Sequence, residues 1–62
     1  MDDLELAKTY QKMHGYEGKH VRIDNVWRDG NNVLCVQYGS DFGRKLNWYH
    51  YQINEHGKLE WW

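Results

Sequence analysis

The run Gly18-Lys-His-Val-Arg-Ile-Asp-Asn-Val-Trp-Arg-Asp29-Gly30-Asn-Asn-Val-Leu-Cys-Val-Gln-Tyr38 reads as a β-hairpin. On both sides of Asp29-Gly30, β-branched, aliphatic and aromatic residues recur at alternate positions, the pattern of strands with one covered face. A two-residue type I′ turn needs positive φ at both central positions, and Asp-Gly meets that need. The expectation is a strand over about 19–28, a turn at Asp29-Gly30 and a strand over about 31–38. Setting Arg28 opposite Asn31 pairs Trp27 with Asn32, Asn25 with Leu34, Ile23 with Val36 and Val21 with Tyr38. One face then carries Val21, Ile23, Trp27, Leu34, Val36 and Tyr38. The other carries His20, Arg22, Asp24, Val26, Val33, Cys35 and Gln37, with Cys35 as a small packing residue.

Upstream, residues 2–14 have helical periodicity. Asp2 stands as an N-cap with Glu5 three residues on as its capping-box partner, and Gly15 closes the helix as a C′ residue. Leu6, Tyr10 and Met13 fall on one stripe with Ala7 at its margin, Leu4 lies off it, and Glu5, Lys8, Thr9 and Lys12 lie opposite. So short a helix is marginal alone in water, so the stripe is expected to dock on the sheet that follows.

Downstream, a Gly-rich connection from Gly39 to Gly43 leads to a strand over 44–53, and Glu55-His56-Gly57 turns into a last strand over 58–62. A three-residue loop with Gly third suits a type I turn plus bulge. It pairs Ile53 with Leu59 and Tyr51 with Trp61, so that Tyr49, Tyr51, Ile53, Leu59 and Trp61 share a face. Leu46, Trp48, His50 and Trp62 form the opposite face. A two-residue loop at His56-Gly57 would instead put Leu59 and Trp61 with Trp48 and His50. In either register both faces are aromatic, which requires cover on both sides by barrel closure plus the helix, or else leaves one face for a partner.

A four-stranded meander with short turns closes most easily as a small barrel. The opening Gly18-Lys19-His20-Val21-Arg22-Ile23-Asp24 followed by a second strand resembles the start of SH3-like small barrels of the KOW and Tudor groups. That resemblance implies a non-catalytic module that binds protein or nucleic acid. The expected fold is therefore α+β, mainly β: a single domain over 1–62, with an N-terminal helix on a strongly bent four-stranded antiparallel sheet, as an SH3-like barrel.

Composition narrows the function classes. The chain has 62 residues, of which Leu, Ile, Val and Phe make twelve, while four Trp and five Tyr supply most of the remaining apolar bulk. A disordered chain would combine few aliphatics with few aromatics and a large net charge, and the net charge here is −1. No apolar run approaches the roughly 20 residues that span a bilayer, and the N-terminus is acidic where a secretory signal would be basic. The expected location is cytoplasmic, with no membrane partner, and the single Cys35 fits a reducing compartment. His14, His20, His50, His56 and Cys35 show no close metal-ligand spacing, so neither metal nor other cofactor is expected.

For catalysis the candidates are weak. Ser40 beside Asp41 reads as a turn that binds its own backbone, and His14 and His56 sit at a helix end and in a turn. The expectation is no enzyme. The informative cluster is Arg44, Lys45, Trp48, Tyr49, His50 and Tyr51 with Trp61 and Trp62. Tyr49, Tyr51 and Trp61 are assigned to the core. Trp48, His50 and Trp62 are assigned as apolar anchors for a partner, with Arg44 and Lys45 at the rim, since Trp, Tyr and Arg are the residues enriched at interface hot spots. A near-neutral chain favours a protein partner over single-stranded nucleic acid, whose affinity is largely electrostatic. Self-association through a strand edge is a third option. In size and layout the chain resembles small accessory and inhibitory proteins of bacteria and their phages.

Overall fold

The computed structural model describes residues 2–16, 18 and 20–62. Helix α1 (Asp3–His14) is followed by strands β1 (Val21–Arg28), β2 (Leu34–Ser40), β3 (Lys45–Ile53) and β4 (Leu59–Trp61). The strands form one antiparallel sheet in the order β1-β2-β3-β4. This is the expected α+β, mainly β arrangement, but it is not a barrel. β1 and β4 are its two free edges, and α1 crosses one face in contact with β1, β2 and β4. Lys19, where the first strand was expected to start, lies outside the described residues.

The helix ends follow the sequence. The Asp2 carboxylate accepts the Glu5 N–H at 2.8 Å. At the other end Gly15 takes φ 77° and donates its N–H to the carbonyls of Gln11 and Lys12. The docked stripe is rotated from the expected one. Ala7 is fully buried, Leu6, Tyr10 and His14 are half-buried, and Met13 is half-exposed. Ala7 lets the helix approach the sheet closely. His14 displaces Met13 because its ring has both a polar and a stacking partner beneath it: Nδ1 lies 2.8 Å from the Tyr51 hydroxyl, and Trp61 stacks on it at 4.0 Å between centroids. The Tyr51 hydroxyl is in turn 2.8 Å from that of Tyr38. With neutral His14 the chain runs from Tyr38 O–H to Tyr51 and from Tyr51 O–H to His14 Nδ1, so both buried hydroxyls are satisfied. Burial pushes both tyrosine hydroxyls above their ordinary pKa.

All three hairpins are closed by the same five-residue segment, a closing pair with a three-residue loop between. Its first residue, Asp29, Ser40 or Asn54, both donates its N–H to and shares a turn with residues further on: Asp29 N to Val33 O at 3.0 Å, Ser40 N to Arg44 O at 2.8 Å, Asn54 N to Lys58 O at 2.8 Å. Its side chain accepts two backbone N–H groups, those of Asn31 and Val33, Phe42 and Arg44, and His56 and Lys58 respectively. The fourth residue, Asn32, Gly43 or Gly57, has φ of 61°, 84° or 75°. This is a type I turn followed by a left-handed residue, the three-residue hairpin loop.

The last loop and its register are as expected: Ile53 pairs with Leu59 and Tyr51 with Trp61. The first is not. Asn32, not Gly30, takes the positive φ, and Arg28 pairs with Leu34, Trp27 with Cys35, Val26 with Val36 and Asn25 with Gln37. The register slips at Asp24, so Ile23 meets Tyr38 and Val21 meets Ser40. The physical cause is the Asp29 carboxylate, which is better satisfied by two N–H groups across a three-residue loop than by a two-residue turn. The consequence is that Trp27 moves to the face away from the helix and Val26 moves to the core face.

The helix-side face therefore carries Val26, Leu34, Val36, Tyr38, Tyr49 and Tyr51, with Leu34, Val36, Tyr38 and Tyr51 at most 1% exposed. Arg28 clamps the helix start to this hairpin. It donates from Nε and Nη2 to the Asp3 carboxylate at 3.2 and 2.8 Å, and from Nη1 to the Asn32 carbonyl at 2.9 Å. That guanidinium holds the Asp3 carboxyl below its ordinary pKa.

Asn54→Ala gives up two loop hydrogen bonds, whose N–H groups turn to water, and should cost about 1–2 kcal/mol, read as a lower urea midpoint, whereas Asn54→Asp, which copies the first loop, should be close to neutral. Acid should act through His14. Burial lowers the His14 pKa from its ordinary 6.5, and the rings on it, Tyr16, Tyr49, Tyr51 and Trp61, are neutral. The unfolded chain then binds the proton more readily than the folded one. Stability is full above about pH 6.5 and falls as pH drops toward the lowered folded value. Urea midpoints at pH 7.5 and 5.5 should show this loss in the wild type and a smaller one in His14→Asn; equal losses would clear His14 of the effect.

Candidate binding face

With α1 on one side, the other side of the sheet is open. The register builds on it a single cross-strand row, Trp27, Cys35, His50 and Trp62: Trp27 pairs with Cys35, Cys35 with His50, and His50 exchanges backbone hydrogen bonds with Trp62 at 2.9 and 3.3 Å. Trp48 stands in the adjoining row opposite Gln37. The rings are continuous. Trp27 and Trp48 lie 5.5 Å apart, Trp48 and His50 5.0 Å, and His50 and Trp62 stack at 4.8 Å with planes only 3° apart. Trp48 and Trp62 are about half exposed, at 49% and 54%.

The expected anchors Trp48, His50 and Trp62 are thus brought together on one face. Trp27, assigned from the sequence to the inside, joins them as a consequence of the three-residue loop. Arg44 and Lys45 are exposed at the far end of β3, beside the turn closed by Ser40. At about 3.3 Å per residue, Lys45 is roughly 16 Å from His50 along the strand, so the two cations border Trp48 and not the His50–Trp62 stack. Ser40 is spent on its turn, its Oγ holding the N–H groups of Phe42 and Arg44.

Cys35 belongs to the open face yet is fully buried, because the row packs Trp27 on one side of it and His50 on the other. Burial pushes its thiol pKa up, and the nearby Asp29 carboxylate adds to the effect. Asp29 is held below the ordinary carboxylate value by the N–H of Val33 and that of Asn31, with His50 a further contribution. His50 Nε2 lies 3.6 Å from Asp29 Oδ2, and His50 Nδ1 lies 3.3 Å from the backbone oxygen of Trp62. One donor atom each from Asp29, Cys35 and His50 lie within 4.8 Å of one another. Sequence spacing concealed this cluster, because its members come from a loop and two strands that only the sheet register aligns.

The remaining surface offers less. A groove of about 520 Å³ between α1 and β1 is lined, among the described residues, by Leu4, Gln11 and Ile23 with Lys8, Lys12 and Arg22, with no carboxylate, thiol or hydroxyl beside them. Among the described residues no helix is long and apolar enough to cross a membrane. No protein family, curated protein or solved structure matches the chain.

Proposed function

We propose that this chain is a non-catalytic binding module that engages a protein partner through the open face of its sheet, with Trp48 and Trp62 as anchors, Trp27 and His50 as the platform between them, and Arg44 and Lys45 at the margin near Trp48. The observation that carries this reading is the unbroken run of four rings on a face that the helix leaves uncovered. Half-exposed Trp beside neutral polar groups is the composition of an interface core and its rim.

Charge favours protein over single-stranded nucleic acid. The residues that flank the rings by register, Asn25, Gln37, Gln52 and Glu60, are neutral or acidic, and the cations Lys45 and Arg22 stand together at one end, on either side of Gly39. Arg22, further along β1, is held by the Asp24 carboxylate at 3.0 Å. A stacking platform without a phosphate track gives little affinity for a polyanion. As a cytoplasmic accessory or inhibitory protein, the chain would act by occupying a partner's surface.

Intrinsic Trp fluorescence tests the choice. Oligonucleotides at low salt should leave it unchanged; quenching that is reversed by added salt would transfer the reading to nucleic acid. A protein captured from the host lysate by the immobilised chain should be lost when Trp48 and Trp62 are both replaced by Ser. It should be retained when the half-exposed Leu4 and Met13 on the helix are replaced instead.

A further inference from the structure

We propose that Asp29, Cys35 and His50 form a binding site for one borderline-soft divalent transition metal, of which Zn²⁺ is the natural occupant and Co²⁺ the spectroscopic probe. The site sits under the aromatic face but does not depend on the partner reading, and its test uses the free protein.

The donor set is the first argument. A thiolate, an imidazole and a carboxylate are the ligand types of zinc sites, with bonds of about 2.3 Å to sulfur and 2.0–2.2 Å to nitrogen and oxygen. Tetrahedral bonds of that length set nitrogen and oxygen about 3.4 Å apart. His50 Nε2 and Asp29 Oδ2 stand at 3.6 Å, and the whole cluster fits within 4.8 Å, so closing on an ion takes contraction by roughly 1 Å at its widest.

The second argument is orientation. A metal-binding His usually gives its other ring nitrogen to a carbonyl, which fixes the tautomer. Here Nδ1 faces the Trp62 backbone oxygen at 3.3 Å, and in the neutral tautomer that donates from Nδ1 the lone pair of Nε2 is turned toward Asp29. Asp29 is committed in the same way. Its Oδ1 accepts from the N–H groups of Asn31 and Val33 at 2.8 and 3.0 Å, leaving Oδ2 for His50. In that tautomer two acceptors face each other across a gap that a cation suits. Stacking on Trp62 holds the imidazole in that plane.

A Cys-His-Asp catalytic relay fits worse. It requires the imidazole to lie between thiol and acid with one nitrogen to each. Nδ1 is turned to the backbone instead, and the thiol is fully buried. The three donors converge and do not line up. On binding, the Cys35 proton leaves to solvent and the thiolate bonds to the ion. Three protein ligands leave the fourth tetrahedral position to water.

Reduced, chelator-treated protein titrated with Co²⁺ at neutral pH should take up one equivalent. It should develop a thiolate-to-cobalt charge-transfer band in the near ultraviolet and visible bands of tetrahedral strength, all bleached by an equivalent of Zn²⁺. Cys35→Ser should abolish the near-ultraviolet band, and His50→Gln should weaken binding by more than the roughly 10–100-fold that loss of an outer-shell partner costs. Asp29→Asn is the variant least exposed to misfolding, because Asn54 performs the same loop function in the third hairpin; it too should weaken Co²⁺ by at least tenfold. His20→Ala and His56→Ala should bind as the wild type does. A folded wild type that gives no near-ultraviolet band overturns the proposal, as does a band that survives Cys35→Ser or undiminished affinity in Asp29→Asn.

Discussion

Tyr51→Ala is expected to leave little folded protein at room temperature. Removing a buried aromatic side chain costs about 3–5 kcal/mol, and a core in a chain of this size rarely supplies more than about 3–5 kcal/mol in total. Tyr51 is 1% exposed and sits in the helix-side row between Leu34 and Trp61. Tyr10 of the helix and Tyr49 of the same strand pack on it at 5.9 and 6.1 Å. The hole would open where helix and sheet meet. Tyr51→Phe separates the ring from its hydroxyl. It keeps the packing but strands the polar atoms of His14 and Tyr38, for a loss of about 1–3 kcal/mol. Circular dichroism and urea unfolding report both variants, and a near-native midpoint for Tyr51→Ala would mean that the helix is not docked there.

Trp48→Ala and Trp62→Ala should do the reverse. Each is expected to weaken capture of the partner by about 2 kcal/mol or more, roughly thirtyfold, while shifting stability by less than about 1 kcal/mol. Trp61 provides the control. It is 45% exposed, close to the 49% of Trp48, so exposure alone does not distinguish them. Strand parity does: Trp61 lies on the helix side, stacked on His14 at 4.0 Å, whereas Trp48 lies on the open side. Trp61→Ala should therefore destabilise the fold and leave partner affinity in the surviving folded fraction unchanged. If Trp48→Ala unfolds the chain or binds normally, the interface is elsewhere.

How far the sequence could be read depends on which physical signal each element obeys. The helix was legible from its ends, because Asp2 and Gly15 act locally through single hydrogen bonds and one backbone angle. Its docked face was less so, since nothing local reveals that His14 has Tyr51 and Trp61 beneath it. The last hairpin was legible because Gly57 marks the left-handed position. The first is less legible because Asp29-Gly30 is a strong two-residue turn signal, while the residue that takes the left-handed conformation is Asn32. One rule covers all three loops: a side-chain acceptor followed three residues later by Gly or Asn, as in Asp29 and Asn32, Ser40 and Gly43, Asn54 and Gly57. Applied to the first hairpin, it puts Trp27 and Cys35 in one row. Trp48 and His50 share a face in either register because they alternate on one strand, and the three-residue loop is what adds Trp62 to them. Barrel closure was inferred from two apolar faces, and the structure meets that condition differently, with the helix on one face and the rings left on the other.

The order β1-β2-β3-β4 also bears on how the chain reaches this state. Every strand pairs only with its neighbours in sequence, so the sheet can zip hairpin by hairpin with small loop-closure entropy, the topology of a rapid folder. Distant segments meet through the helix, where Asp3 joins Arg28 and His14 joins Tyr51 across 25 and 37 residues. The contacts of greatest sequence separation are therefore those that press α1 onto the sheet, and its docking is the step that turns three local hairpins into one cooperative unit.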